Sequence, residues 1–293
     1  MGVLLIVVTL ITSTVISTPR IDSTAIRRFD TLVEQHVHDR ARHDPEWATS
    51  VGLHTADSLL TDRSAAKMHA DSARLANELR RLHAIDTSAL DTPRVVDWLL
   101  LQSVLQTGEH TTGQQGWQKR PGSYVPFNAL YSLITGSVPA PRERMAALTA
   151  RLEQWPRTIA LGREQIIPHR TPRFWVGLDV ANARNVARYL ELELPGIVRS
   201  SGGDPVRFTV AQRRALAALR AYIAWMADTL SPAASGNWAV GPESYDWRLR
   251  HSKLLDTSAD SLVVLGHRVF RERPKQILSD WLDLSTHCAV GVS

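Results

Sequence analysis

The chain has 293 residues, of which 44% are hydrophobic and 22% are charged, as in an ordinary globular protein, so intrinsic disorder is not the expected state. Its formal net charge of +5 comes mainly from arginines that interleave with acids, as in Arg142-Glu143-Arg144. Nucleic-acid binding needs a clustered basic face, so we expect no nucleic-acid partner, and the single cysteine, Cys288, excludes a disulfide within the chain.

The N-terminal residues are typical of an export signal. Residues 3–17 form an apolar run that ends in small residues, with Val15 and Ser17 at plausible cleavage positions. A helix over residues 3–16 would span only about 21 Å, which is short of a hydrocarbon core of roughly 30 Å. We therefore predict a signal peptide over residues 1–17, a secreted or periplasmic location and no stable membrane span. No Lys or Arg precedes the run, and no cysteine follows it that could carry a lipid anchor.

The stretch EQHVHDRARHD, residues 34–44, raises the question of a metal site. His36, Asp39 and His43 have the spacing i, i+3, i+7 and would share one helix face, and imidazole and carboxylate are usual zinc ligands. The apolar face of the same helix is formed by Ile26, Phe29, Leu32, Val33 and Val37. The charged side is therefore predicted to face solvent, where a functional metal site would lack supporting partners, and we expect no metal there.

Prolines mark several predicted helix starts. Asp44-Pro45, Thr92-Pro93, Thr171-Pro172 and Gly241-Pro242 each place a proline in a first turn, and Thr209–Gln212 fits a capping box. Apolar stripes follow at residues 145–159, where Pro156 is expected to produce a kink, and at residues 216–230.

The segment RVVDWLLLQSVL, residues 94–105, is apolar on nearly every side and predicts a helix in the centre of a bundle. Residues 111–123 and 199–205 are rich in glycine and polar residues and predict connections. Convincing strands are absent. The predicted fold is therefore all-α, an elongated multi-helix bundle of about eight helices around one long core.

Motifs for catalysis are missing from the sequence. There is no glycine-rich nucleotide loop, no Gly-x-Ser-x-Gly elbow and no His-Glu-x-x-His, so no cofactor is predicted for this chain. Two of the nine tryptophans, Trp117 and Trp238, lie in loop-like sequence and are free to meet a ligand. Trp155 and Trp225 lie on or beside apolar stripes, which favours core packing.

Four blocks together resemble the bacterial domain-of-unknown-function 885 (DUF885) family. They are DPEWATSVGLHTADSLLTDRS (residues 44–64), RVVDWLLLQSVL (94–105), RLEQWPRTIALGREQI (151–166) and AVGPESYDWRLRHSKLLDTSADSLVVLG (239–266). Each block is weak alone, but their order and spacing make the resemblance fairly specific.

The resemblance implies an exported helical protein related to zinc metallopeptidases. In such proteins a His-Glu-containing helix and a downstream acid hold the zinc, which activates water. None of those positions exists in this sequence, so zinc is expected only for an intact family member, and no catalytic or metal residue is carried over to this chain.

The chain departs from the family pattern after Gly266. The family continues with a long acidic helix, whereas Pro274 is predicted to break a helix here and STHCAVGVS has little helical character. We expect residues 18–266 to be the N-terminal helical domain of the family, and residues 267–293 to be a divergent tail produced by a frameshift or premature stop.

The leading interpretation is the N-terminal portion of a secreted metallopeptidase-like protein, truncated and inactive alone. Its partners would be a peptide substrate and the missing C-terminal half. Glu243 and Tyr245 are substrate-side candidates, since a carboxylate and a phenol after a Gly-Pro turn can contact a peptide. In the alternative reading of these two residues, Tyr245 packs and Glu243 complements its helix N-terminus. The alternative function is a complete, non-enzymatic helical module that binds a peptide or envelope partner in a groove.

Overall fold

The structure, a computed structural model, describes residues 21–136 and 139–289. The predicted all-α class is confirmed, and no strand occurs in the described ranges. The predicted signal peptide, residues 1–17, lies outside them. The helices are α1 (Ser23–His43), α2 (Pro45–Ser50), α3 (Ala65–His83), α4 (Thr92–Gly113), α5 (Phe127–Thr135), α6 (Pro141–Gln165), α7 (Arg173–Leu192), α8 (Leu194–Ser200), α9 (Pro205–Trp225), α10 (Pro242–Ser252) and α11 (Ala259–Ala289).

Aspartates cap several of these helices, some at positions that the sequence did not indicate. Asp44 accepts a hydrogen bond from the amide of Trp47 at 3.1 Å, as predicted for α2. The capping box at Thr209 was wrong. Helix α9 begins five residues earlier because Asp204 accepts hydrogen bonds from the first amides of the helix and Pro205 occupies its first turn. Thr209 instead lies inside α9 and donates to the carbonyl of Pro205 at 2.6 Å.

The core consists of two clusters, so the prediction of one long core was wrong. The larger cluster is built mainly by helices α5 to α9, and includes the fully buried Trp155 and Tyr222. The smaller cluster joins α1, α3 and α4 through residues such as Phe29, Leu82 and Leu105. The two clusters are separate because α4 packs mainly against α3, so its buried residues belong to the smaller cluster and not to the larger one.

Helix α4 is not buried in the centre of the bundle, which corrects a second prediction. It buries Leu101, Ser103 and Leu105. The side opposite Leu101 and Leu105 carries an exposed apolar row, called here the α4 stripe, of Val96, Leu99, Leu100 and Val104, with exposed fractions of 42–51%. These residues follow the spacing i, i+3, i+4, i+8, which places them on one face of the helix. Farther along this side α10 packs against α4, and Ser103 donates to the carbonyl of Ser252 at 3.5 Å.

The C-terminal part of the described chain also differs from expectation. Helix α11 is continuous through Pro274, and α6 is continuous through Pro156. A proline inside a helix removes one amide donor without preventing the helical dihedrals, so the predicted break at Pro274 was wrong. Along α11, Val264 and Phe270 are 70% and 80% exposed.

Candidate functional site

A cavity of about 830 Å³ lies where the C-terminal end of α4 meets the loop that follows it, the turn before α7, the segment before α10 and α10 itself. Aromatic rings and cations dominate its lining. The rings are those of Trp117, Tyr124, Trp175 and Trp238, and the cations are Arg63, Lys119, Arg120, Arg170 and Arg248. Among the described residues that line the cavity, none is acidic.

One wall of the cavity is a short helical turn, Pro121–Tyr124, that is fixed by hydrogen bonds from two tyrosine hydroxyls. The hydroxyl of Tyr222 donates to the carbonyl of Pro121 at 3.0 Å, and the hydroxyl of Tyr124 donates to the carbonyl of Trp117, also at 3.0 Å. Burial raises the pKa of Tyr124 to about 12 and raises that of Tyr222 further, so both phenols keep the protons that they donate. The turn is therefore a fixed platform for the lining residues beside it.

Asp179 of α7 holds the same turn from another side. Its Oδ2 accepts a hydrogen bond from the amide of Gly122 at 2.8 Å, and only 9% of the residue is exposed. Burial raises the pKa of this carboxyl, against the opposing effects of the Gly122 amide and of Arg120.

The opposite wall depends on a close approach of two backbones. The amide of Gly236 donates to the carbonyl of Thr171 at 3.0 Å, and a Cβ at Gly236 would lie only 2.3 Å from the carbonyl carbon of Arg170. Only glycine fits there. This contact brings the next residues, Asn237 and Trp238, to the rim of the cavity, where Trp238 is 67% exposed.

The cations of the cavity differ in how they are compensated. Arg63 forms an ion pair with Glu46, with Nη1 at 2.7 Å from Oε1. In contrast, Lys119, Arg120, Arg170 and Arg248 form no ion pair with any residue that the structure describes. The cavity therefore carries a positive potential that a bound anion would neutralise.

Neutral partners hold two of these cations in place. Nη1 of Arg170 donates to Oε1 of Gln115 at 2.6 Å, and also to the side chain of Gln118. The guanidinium of Arg120 lies over the ring of Trp175, 4.6 Å from its centroid. The geometry is thus fixed by amides and a ring and not by ion pairs.

Lys119 is the cation most affected by its surroundings. Burial lowers the pKa of its ammonium group, and the charge of Arg170 lowers it further. Both effects disfavour the charged form, and a carboxylate in the cavity would reverse them.

The two tryptophans that the sequence singled out, Trp117 and Trp238, line this one cavity although 121 positions separate them. Glu243 and Tyr245, the predicted substrate-side candidates, lie in the first turn of α10, both exposed, and are not among the lining residues. Their neighbour Ser244 accepts a hydrogen bond at 3.2 Å from Gln114, which does line the cavity. The role predicted for Glu243 and Tyr245 stays a prediction.

The histidine-rich stretch of α1 is oriented differently from the prediction. His36 is buried and its Nδ1 lies 2.7 Å from Oε2 of Glu78, whereas Val37, which was placed on the apolar face, is 41% exposed. His36 therefore packs against α3 and does not share a solvated face with Asp39 and His43. The described ranges contain no group of three or more His, Cys, Asp or Glu residues that could hold a metal ion. The residues that the structure describes therefore offer no donor set that fits the zinc implied by the family resemblance.

A buried arginine, which sequence reasoning missed, organises the family block at residues 44–64. Arg151 of α6 has no exposed surface, and its Nη2 donates to Oγ1 of Thr49 at 2.6 Å. Thr49 in turn donates to Oδ1 of Asp57 at 2.7 Å, and Oδ2 of Asp57 lies 2.9 Å from Nδ1 of His54. Burial lowers the pKa of Arg151, and the charges of nearby acids oppose that effect. Thr49, His54 and Asp57 lie in that block, but their link to Arg151, 102 positions beyond Thr49, had no signal in the sequence.

Comparisons with known proteins give a family match and a structural match. A family model described as "Bacterial protein of unknown function (DUF885)" matches residues 45–278. A solved structure described as "a putative lipoprotein of unknown function" from Shewanella oneidensis superposes with a TM-score of 0.73 at 19% sequence identity, over 89% of this chain and 49% of that one. The chain therefore spans about half the length of that relative. No curated protein matches the chain. Within the described ranges, no helix is both long and apolar enough to cross a membrane.

Proposed function

The chain belongs to the bacterial DUF885 family, and we propose that it is the N-terminal helical portion of a larger, secreted or periplasmic zinc-metallopeptidase-like protein. In this proposal the chain supplies one wall of a peptide-binding cleft and is inactive alone. The observation that carries it is the cavity between α4 and α10, which has cations and aromatic rings to bind a peptide but no acid in its lining.

The distribution of chemical groups supports a binding role separate from catalysis. A metallopeptidase needs a zinc site with three protein ligands and a base. The described residues offer no such cluster, so in this proposal those groups come from the rest of the longer protein. The solved relative has about twice the aligned length, which provides room for them.

The exposed apolar surface supports an interface with another domain. The side chains of the α4 stripe and of Val264 and Phe270 of α11 remain 42–80% exposed. Contiguous apolar surface of this kind is typical of an interface. We propose that it contacts the C-terminal half that corresponds to the uncovered part of the solved relative.

The first experiment is to sequence the gene through several hundred bases beyond the Ser293 codon. The proposal expects a His-Glu zinc motif downstream in one of the reading frames. When that frame is joined to the codons of this chain, the longer, rejoined protein should hydrolyse peptides in the presence of zinc. Loss of activity after removal of zinc by a chelator is the control. Unrelated sequence downstream, or an inactive rejoined protein with full zinc content, would contradict the proposal.

A stand-alone binding module is the second candidate. It is favoured by one observation, that both walls of the cavity are held by hydrogen bonds within this chain, through Tyr222, Asp179 and Gly236. A complete module should melt cooperatively as a monomer and should not bind a hydrophobic dye, whereas an incomplete protein should bind the dye through its exposed apolar surface.

A further inference from the structure

We propose that the cavity binds the C-terminal carboxylate of a peptide whose last side chain is aromatic or similarly large and apolar. The assignment of the ligand as a peptide rests on the proposed function. The choice of the carboxyl terminus rests on the charges and rings of the cavity.

The donors available to a carboxylate are Lys119, Arg120 and Arg248. None of them forms an ion pair or a side-chain hydrogen bond within the described ranges. The Cζ of Arg120 lies 4.6 Å from the centroid of the Trp175 ring, a contact that uses none of its N–H donors, so they are left for an anion. Planar carboxylates accept such paired N–H donors well, in short charge-assisted hydrogen bonds.

Arg170 would attract the peptide carboxylate mainly through its charge and less through direct hydrogen bonds. Its Nη1 donates to Gln115 and Gln118 and its Nη2 donates to the carbonyl of Gln114 at 3.2 Å, so most of its donors are already in use. The charge of Arg170 also disfavours the ammonium form of Lys119. A carboxylate bound between the two cations removes this repulsion, which gives the site a reason to prefer an anion over a neutral group.

The rings provide the adjoining apolar subsite. Trp117 is fixed at its carbonyl by Tyr124 and meets the ring of His69 edge-on, with centroids 6.2 Å apart. Trp238 is largely exposed and becomes covered when a large apolar side chain occupies the cavity. The volume of about 830 Å³ lies in the range of small-ligand sites, and holds a few peptide residues.

The test measures peptide binding to the full chain without zinc, in a buffer that contains a chelator. The probes are acetyl-Ala-Ala-Phe with a free carboxylate and the same peptide with a C-terminal amide, and binding is followed by calorimetry and tryptophan fluorescence. The acid should bind at least about tenfold more tightly than the amide. Its carboxylate is a charged acceptor for the Lys and Arg donors, whereas the amide is neutral and forms weaker hydrogen bonds with them.

Variants then assign the donors. Lys119→Met and Arg248→Gln should each weaken binding of the acid by about tenfold and leave binding of the amide almost unchanged. Arg213→Gln is the matched control, since Arg213 is exposed on α9, outside the cavity, and its loss removes the same charge. Circular dichroism confirms that each variant is folded, and Trp238→Ala, which removes an exposed ring, should weaken binding of both peptides.

Two results would overturn the inference. One is equal affinity for acid and amide, or no binding of the acid at millimolar concentration. The other is tighter binding of phenyl phosphate than of the acid peptide, which would assign the cavity to a phosphate. The two proposals can fail separately. The proposed function is tested by peptide hydrolysis in the longer protein, whereas the carboxylate site is tested by peptide binding to the present chain.

Discussion

The amide of Gly122 donates a hydrogen bond of 2.8 Å to Oδ2 of Asp179, and a Cβ at Gly122 would lie only 2.4 Å from Oδ1 of the same carboxylate. This contact joins the cavity wall to α7 and leaves no space for a side chain. Gly122→Ala should therefore lower the unfolding free energy by about 1–3 kcal/mol and weaken acid-peptide binding. Urea denaturation measures the first effect. Gly177→Ala is the control, because a Cβ there meets no atom within 4 Å.

Asp179 makes stability depend on pH. Burial raises its folded-state pKa above the ordinary value of 3.8, so the native state holds a proton that the unfolded state releases. The contribution of the carboxyl is most favourable below 3.8 and is lost as pH rises from there through the raised pKa. Asp179→Asn keeps an oxygen acceptor for Gly122 but does not titrate. Between pH 4 and pH 7, the unfolding free energy of the wild type should fall relative to that of the variant. A pH-independent difference between the two would contradict this.

Arg151 is the most consequential buried charge that the structure describes. It donates to the carbonyl of Leu59 at 3.0 Å and to Thr49, so it joins the segment before α3 to α6. Arg151→Met would leave these buried acceptors without donors and should destabilise the protein by about 3 kcal/mol. Thermal and urea unfolding measure the loss. Arg157→Met on the same helix removes an exposed arginine and should change stability by less than about 0.5 kcal/mol.

Local signals in the sequence predicted the helices well, and their failures have a common cause. Prolines and aspartates at helix starts act through adjacent backbone atoms, so their effect can be predicted from neighbours in sequence, as at Asp44. The face that a helix buries depends on distant partners. His36 lies on the buried face because Glu78, 42 positions away, supplies its hydrogen bond. Val37 is the more hydrophobic residue but lies outside that contact.

The candidate site was predictable only in part for the same reason. Trp117 and Trp238 could be singled out because tryptophan in a polar loop lacks a core to enter. The clustering of Lys119, Arg170 and Arg248 depends on three separate elements meeting, and each cation is unremarkable in its own segment. The apolar run at residues 94–105 predicted burial, but whether its second face is covered depends on what packs over it, which composition does not encode.

The stacked pair of His110 and Trp247 predicts how α10 responds to acid. Their ring centroids are 3.8 Å apart, and burial, followed by the charges of Arg248 and His251, lowers the pKa of His110 below 6.5. A histidine with a lowered folded-state pKa contributes stability above its unfolded value, and this contribution is lost as pH falls through the window below 6.5. The contact between α4 and α10 should therefore weaken on acidification. Trp247 also stacks on His251, with ring centroids 4.8 Å apart, so His251→Asn serves as the background. In that background Trp247 fluorescence should still change with pH, and adding His110→Asn should remove most of the change.

The α4 stripe predicts a separation between stability and association. Leu99 and Leu100 are 42% and 51% exposed, so Leu99→Glu and Leu100→Glu remove little packing within this chain. Both variants should keep the wild-type melting temperature while binding less hydrophobic dye, and in the longer protein that we propose they should weaken contact with its C-terminal half. Val206→Glu on α9 is the control, since Val206 is an apolar residue that is 75% exposed but lies outside the α4 stripe. An equal loss of dye binding in all three variants would show that the stripe has no special role, because scattered exposed residues would then account for the signal.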